Sequence, residues 1–182
     1  MMLITCILAT VVVYVPKGSG KVFESCYKDS IPDYCYLIRL NDPPQSFQKT
    51  AKFSPKNPYD YLCYDSKHGV LIPTELKTTK YKSMGLTMIR DHQIDGLTKA
   101  AEYDNVFPCF MFNFRDEENG IERCYIQHIS NFNRMLSGID KKSFNEIDLL
   151  QNGAISVSGK KKIKYYRWDI DALFCRLFEQ NV

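Results

Sequence analysis

Residues 59–78 read YDYLCYDSKHGVLIPTELKT, and this stretch decides the fold. Two strand-forming runs flank the turn-forming residues Asp65 to Gly69, a pattern typical of two antiparallel strands joined by a tight connection. Pro73 removes a backbone donor from the second run. The sequence therefore leaves open whether this strand is confined to Thr74 to Thr78 or passes Pro73 through a bulge.

Further helices and strands are predicted around this hairpin from hydrophobic periodicity. Helices are expected at residues 21–30, 89–105, 130–136 and 170–179, and strands at residues 34–40, 106–115, 122–129 and 160–168. A flexible linker is expected at Gly18 to Lys21. The polar, basic segment from Gln45 to Asn57 is expected to protrude as a loop or stalk. This order predicts an α/β fold with a mixed central sheet flanked by helices.

Composition sets limits on the class of protein. A chain of 182 residues with 45% hydrophobic content can bury a core as one domain. The formal net charge of +3 does not by itself indicate a nucleic-acid partner. Basic residues cluster at 49–56, 77–82 and 160–167, which predicts either a basic binding face or a solvated lysine surface.

The cysteines and histidines do not form a recognisable metal motif. Seven cysteines are scattered without a close pair, so they are expected to be buried thiols in a reducing compartment. The three histidines, His68, His92 and His128, are dispersed. The sequence therefore disfavours a zinc enzyme.

The first 17 residues contain an apolar run of uncertain role, whereas residues 18–182 are expected to form the functional domain. The run is shorter than the roughly 20 residues of a membrane-spanning helix. It also lacks the features of a good signal peptide. We expect no stable membrane association and a cytoplasmic location, in the host cytoplasm if the chain is phage-encoded.

The chemistry-bearing residues are Asp60, Glu75 and Lys77. Side chains alternate along a strand, so Glu75 and Lys77 share one face while Leu76 points into the core. An adjacent strand would bring Asp60 to the same face. Two carboxylates about 4 Å apart repel by roughly 4 kcal/mol at an effective dielectric near 20, which favours binding of Mg²⁺ or Mn²⁺. On these three residues alone, a solvated strand face is the simpler interpretation.

Four ordered segments add a resemblance to a known family. They are Gly20 to Glu24, Asn57 to Tyr61, Glu75 to Lys77, and His92 with Gln93. In order and approximate spacing they resemble the PD-(D/E)XK nucleases. More narrowly, they are similar to phage-type RecU Holliday junction resolvases, and the resemblance extends over nearly everything after Gly18.

The resemblance implies a restriction-endonuclease-like fold and a Mg²⁺ site, with Mn²⁺ as the alternative ion. It implies that Asp60, Glu75 and the Leu76 carbonyl bind the metal and that Lys77 is the catalytic lysine. Glu24 matches an additional acidic position, and Gln93 matches a helical polar position beside the site. Without the resemblance, Glu24 reads as a first-turn helix acid and Gln93 as a capping or solvated residue.

The resemblance also implies a DNA-binding surface. Arg39 and His92 match positions near DNA, and the stalk, with Lys49, Lys52 and Lys56, matches the region that engages the centre of a junction. A four-way junction has two symmetric strands to cut, so a homodimer is expected. Two rivals remain: a restriction-like or repair endonuclease acting on other DNA structures, and a catalytically inactive junction-binding accessory.

Overall fold

A computed structural model of the chain describes residues 18–40, 57–163 and 165–179. The helices are α1 (Ser19–Ser30), α2 (Asp91–Ala100), α3 (Ile129–Gly138), α4 (Glu146–Gln151) and α5 (Ile170–Phe178), and a 3-10 turn lies at Leu86–Met88. The strands are β1 (Cys35–Arg39), β2 (Tyr61–Asp65), β3 (Val70–Thr79), β4 (Ser83–Gly85), β5 (Cys109–Asp116), β6 (Ile121–His128), β7 (Ser143–Asn145), β8 (Ile155–Val157), β9 (Gly159–Lys161) and β10 (Tyr166–Trp168).

Two regions with sequence-based predictions lie outside the described residues. They are the apolar segment at residues 1–17 and most of the expected stalk, including Lys49, Lys52 and Lys56. Their roles, and the division of the chain at residue 18, stay predictions.

Six of the ten described strands form a central sheet in the order β1-β2-β3-β5-β6-β8, and the other four form the two-stranded sheets β4-β7 and β9-β10. β3 and β5 are parallel, and each of the other neighbouring pairs is antiparallel. The segment from β3 to β5 contains α2, as a crossover between parallel strands requires. The mixed α/β architecture with a central sheet flanked by helices is therefore confirmed.

Helices cover the two faces of the sheet with separate apolar clusters. On one face, α1 and α5 contribute Phe23 and Phe174 to a cluster that includes Met111. On the other face, Leu97 and Phe132 pack with alternate residues of β5. This burial on both faces explains why the sequence of β5 is an almost unbroken apolar run rather than an alternating one.

β3 passes through Pro73 without interruption, which answers the question that the sequence left open. Leu62 of β2 lies opposite Pro73 in regular register. On its other side, Pro73 lies between an isolated bridge from Leu71 to Val106 and the first parallel pair, Thr74 with Cys109. Its missing N–H therefore falls in a gap between the two pairings, where the sheet loses no ladder bond.

Three element predictions need correction. The expected linker at Gly18 to Lys21 is wrong, because α1 begins at Ser19. The helix expected at residues 89–105 ends at Ala100, after which Asn105 and Phe107 hydrogen-bond to the backbone of Leu71 in β3. The single strand expected at residues 160–168 is instead an antiparallel pair, β9 and β10.

The tyrosines of the first two strands divide into two groups. Tyr61 is buried and contacts Tyr27 in the core. Tyr36 and Tyr64 lie opposite each other across β1 and β2 but are 67% and 44% exposed. These two residues are therefore a cross-strand pair at the surface rather than part of the core.

No helix in the described part of the chain is long and apolar enough to cross a membrane.

Candidate active site

One polar cleft, with a volume of about 430 Å³, collects most of the residues singled out from the sequence. It lies where the open end of the β2–β3 hairpin meets α1 and the beginning of α2. Its lining residues are Glu24, Arg39, Leu40, Asn57, Tyr59, Asp60, Glu75, Leu76, Lys77, Arg90, His92 and Gln93. The structure thus brings together every described residue that the sequence analysis assigned to the site.

Glu75 is the most buried charged group of the cleft, with 3% of its surface exposed. Its Oε1 lies 2.9 Å from the ammonium nitrogen of Lys77. The same oxygen accepts a hydrogen bond of 2.5 Å from the side-chain amide of Gln93. Strand alternation accounts for the first contact, because residues two apart in β3 project from the same face.

Asp60 immediately precedes β2 and flanks the middle of β3. Its backbone N–H donates to the carbonyl of Thr74 at 3.2 Å. Its Oδ2 accepts a hydrogen bond of 2.9 Å from the backbone N–H of Leu76. Because the N–H and C=O of a strand residue face the same side, the Leu76 carbonyl also faces the side on which Asp60 lies.

Burial raises the pKa of both carboxyl groups. The pKa of Glu75 rises to about 7, first through desolvation and then through repulsion by Asp60, in spite of the ion pair with Lys77. Desolvation also raises the pKa of Asp60, although the Leu76 N–H and the charge of Lys77 act in the opposite direction. The single ammonium group therefore does not neutralise the pair, and additional positive charge would stabilise both anions.

Gln93 is held in place by the start of α2. Its side-chain oxygen accepts a hydrogen bond from the backbone N–H of Arg90 at 3.1 Å, while its amide group donates to Glu75. The helix also packs tightly against the residues before Asp60, since a Cβ added at Gly96 would lie 2.3 Å from Pro58 Cβ. The capping interaction and the close packing at Gly96 together fix the donor that orients Glu75.

Glu24 and Arg39 form an ion pair at the rim. Both Nε and Nη2 of Arg39 lie 3.0 Å from Glu24 Oε2. Glu24 comes from α1 and Arg39 from the end of β1, so the pair links the helix to the edge strand. Two residues that the sequence resemblance singles out, one acidic and one basic, are thus bound to each other.

The remaining predicted residues also line the cleft, together with some that the sequence analysis missed. Leu76 belongs to the apolar core through its side chain, and His92 lies on α2 beside Gln93. Arg90, an exposed cation at the cleft, was missed. The available signal was its position as the N-cap residue of α2, but a helix start predicted at residue 89 concealed it.

The donor set fits a hard divalent cation. Two carboxylates and one backbone carbonyl offer only oxygen atoms, the ligand type that Mg²⁺ and Mn²⁺ prefer. The mutual repulsion of Asp60 and Glu75 is the physical reason why this part of the cleft would bind a cation. The fold and the cleft thus define a mixed α/β protein with an acidic pair and a lysine on and beside β3, a central strand of the sheet.

The known proteins that resemble this chain include one with a similar sequence and one with a similar structure. No protein-family model matches the chain. Over 119 residues it is 38% identical to the SPbeta prophage-derived uncharacterized protein YotM of Bacillus subtilis (strain 168), and the match covers 64% of this chain. The chain spans 58% of the length of that relative. Among solved structures, the Holliday junction resolvase Hjc of Archaeoglobus fulgidus matches with a TM-score of 0.43 and 12% identity, covering 75% of this chain and 90% of Hjc.

Proposed function

We propose that this protein is a divalent-metal-dependent endonuclease that cuts four-way DNA junctions. The observation that carries the proposal is the buried carboxylate of Glu75, held between the Lys77 ammonium and the Gln93 amide in the cleft that also contains Asp60. A buried acid with a raised pKa, beside a second acid and a lysine, is unfavourable for stability but suited to metal-assisted phosphate chemistry.

In this proposal Asp60, Glu75 and the Leu76 carbonyl hold one Mg²⁺ ion, for which Mn²⁺ can substitute. Bound magnesium supplies a Lewis acid that stabilises negative charge on the phosphate and favours attack by water. Lys77 places its ammonium group beside the reacting phosphate and stabilises the charge that develops there. Gln93 orients Glu75 and so acts as a positioning residue.

The rim of the cleft provides the proposed contacts to the DNA backbone. Arg39, Arg90 and His92 lie around the acidic pair, and arginine cations and imidazole N–H groups at such positions bind phosphate groups. Exposed Lys80 and Lys82 follow β3 but line a separate hollow that also contains Asp116, Glu117 and Glu118, so they are not counted among these contacts. The stalk lysines, Lys49, Lys52 and Lys56, stay part of the proposal through the resemblance alone.

Selection of four-way junctions, and action as a homodimer, rest on the similarity of the sequence motifs to RecU-type resolvases. Two identical active sites related by a two-fold axis would cut two strands at symmetric positions. This substrate preference is the finer part of the proposal, and it needs a test separate from catalysis itself.

The test is a cleavage assay with a labelled four-way junction and a linear duplex that contains the sequence of one arm pair. We expect the wild-type protein to make paired nicks in opposing strands of the junction with Mg²⁺ or Mn²⁺, and none with EDTA. We expect much slower cleavage of the duplex. The Asp60→Asn variant, which keeps the size and an acceptor oxygen at this position, is the matched negative control.

Two outcomes would contradict the proposal in different ways. Equal cleavage of junction and duplex would support a restriction-like or repair endonuclease with the same catalytic residues. Tight binding of the junction without any nick in either metal would support an inactive recombination accessory.

A further inference from the structure

A second cluster of possible metal ligands lies outside the cleft. His68 lies in the turn between β2 and β3, and Cys175 and Glu179 come from the end of α5 and the residue after it. Residues four apart share one face of a helix, so the thiol and the carboxylate both face the turn. The ligand atoms of these three residues lie within 4.8 Å of one another.

Asp65 holds the imidazole of His68 in one orientation. Asp65 is fully buried, and its Oδ2 lies 2.6 Å from His68 Nδ1. Its other oxygen accepts hydrogen bonds from the backbone N–H groups of Lys67 and His68, so the carboxylate is itself fixed. A carboxylate on one ring nitrogen is the usual support of a metal-binding histidine, because it directs the lone pair of the other nitrogen to the metal.

The second ring nitrogen, Nε2 of His68, is buried and has no hydrogen-bond partner among the residues that the structure describes. The side chain of His68 is only 8% exposed, so water has little access to it. Nε2 faces Glu179 Oε1 at 3.5 Å, which is too far for a good hydrogen bond. A neutral imidazole would then point a lone pair at a carboxylate oxygen, and a cation between the two atoms would satisfy both.

Lys67 indicates that the cluster attracts positive charge. Its Nζ lies 2.8 Å from Glu179 Oε1 and 3.1 Å from Cys175 Sγ. The lysine side chain is 44% exposed, so its ammonium group can move into solvent without losing a buried partner. Lys67 is therefore a competitor for a metal ion at this position.

We propose that His68, Cys175 and Glu179 bind a divalent transition-metal ion of the zinc type, with displacement of the Lys67 ammonium group. The mixed set of one nitrogen, one sulfur and one oxygen suits zinc and cobalt far better than magnesium. Tetrahedral bonds of the usual zinc lengths separate neighbouring ligand atoms by about 3.3–3.6 Å. The distance of 3.5 Å between His68 Nε2 and Glu179 Oε1 already lies in this range.

Metal binding at this cluster is a ligand exchange. The Cys175 thiol loses its proton to solvent, the Lys67 ammonium leaves, and three protein ligands leave one position of the metal for water. The ion would join the end of α5 to the turn of the hairpin whose second strand carries Glu75 and Lys77. Its expected role is to stabilise this end of the domain, independently of the oxygen ligands in the cleft.

The test is a titration of the full-length, reduced protein with Co²⁺, because cobalt bound to a thiolate gives a charge-transfer absorption in the near ultraviolet. We expect this absorption to saturate at one ion per chain and to disappear on addition of one equivalent of Zn²⁺. Bound zinc should also raise the melting temperature. Oxygen-only binding in the cleft gives no thiolate absorption, so the result does not depend on the proposed nuclease activity.

Four variants make the assignment specific. Cys175→Ser should abolish the absorption, whereas Cys35→Ser, at a partly buried thiol outside the cluster, should leave it unchanged. Glu75→Gln should also leave it unchanged. Lys67→Gln should increase the affinity for zinc, because it removes the competing charge and needs no buried rearrangement.

Absence of the charge-transfer absorption in the folded wild-type protein would overturn the proposal. Its persistence in Cys175→Ser would do the same. If Lys67→Gln bound zinc no more tightly than wild type, the lysine would be a structural ion-pair partner rather than a competitor, which also contradicts the proposal.

Discussion

The Glu75→Gln variant is expected to lose metal-dependent DNA cleavage by about 10²-fold or more while remaining folded. Glutamine keeps the size of the side chain and the oxygen that accepts from Gln93 and Lys77, but it removes the negative charge that would bind the metal. The measurement is the single-turnover rate of junction cleavage at saturating protein and Mg²⁺.

The control for this variant is Glu102→Gln, which makes the same chemical change at an exposed position that does not line the cleft. We expect it to cleave at the wild-type rate. Circular dichroism and thermal melting should show that both variants are folded. Wild-type cleavage by a folded Glu75→Gln variant would mean that the metal and the reacting phosphate are bound elsewhere.

The second large effect concerns the stability of the metal-free protein. Burial and the charge of Asp60 raise the pKa of Glu75 from 4.5 to about 7 on folding. The folded state therefore holds this proton more tightly than the unfolded chain. The resulting stabilisation is fully present below pH 4.5 and is lost as the pH rises through about 7.

Glu75→Gln removes this pH dependence because an amide does not titrate. The free energy of unfolding of the variant minus that of the wild type should therefore increase by up to about 3 kcal/mol as the pH rises from about 4 to about 8. The measurement is urea unfolding in EDTA at both pH values. Glu102→Gln again serves as the control, and a Glu75→Gln difference that does not change with pH would contradict the assigned burial of Glu75.

Magnesium should oppose the same effect in the wild-type protein. A bound cation favours the ionised carboxylate, so stability at pH 8 should rise with Mg²⁺ in wild type and not in Glu75→Gln. The pH dependence and the Mg²⁺ dependence of stability thus distinguish the effect of the Glu75 charge from the effect of its packing.

The part of the site that could be predicted from sequence depends on local rules. A strand repeat of two residues places Glu75 and Lys77 on one face, and a tight hairpin brings the residues before β2 alongside β3. These rules predict a shared surface for Asp60, Glu75 and Lys77. The prediction that Gln93 lies beside the site rested on the motif resemblance. In the structure, Gln93 donates a hydrogen bond to Glu75.

The parts that could not be predicted depend on contacts between distant segments. The cluster of His68, Cys175 and Glu179 forms only because α5 folds back on the hairpin turn, across more than half of the chain. The tight contact of Gly96 with Pro58 likewise depends on where the crossover helix lies. The strand predicted at residues 160–168 is divided into β9 and β10, and the turn between them was missed because this lysine-rich segment contains no glycine, proline, asparagine or aspartate to mark it.

The central claim is that Asp60 and Glu75 jointly hold one hard divalent ion. Calorimetric titration with Mn²⁺ at about pH 8, where Glu75 is ionised, tests it most directly. The measurement should use wild type, Asp60→Asn and Glu75→Gln, each carrying Cys175→Ser so that the second cluster does not contribute. We predict one Mn²⁺ ion per chain for the wild-type cleft and at least tenfold weaker binding (about 1.4 kcal/mol) in each cleft variant. Unchanged Mn²⁺ affinity in both cleft variants would contradict the account.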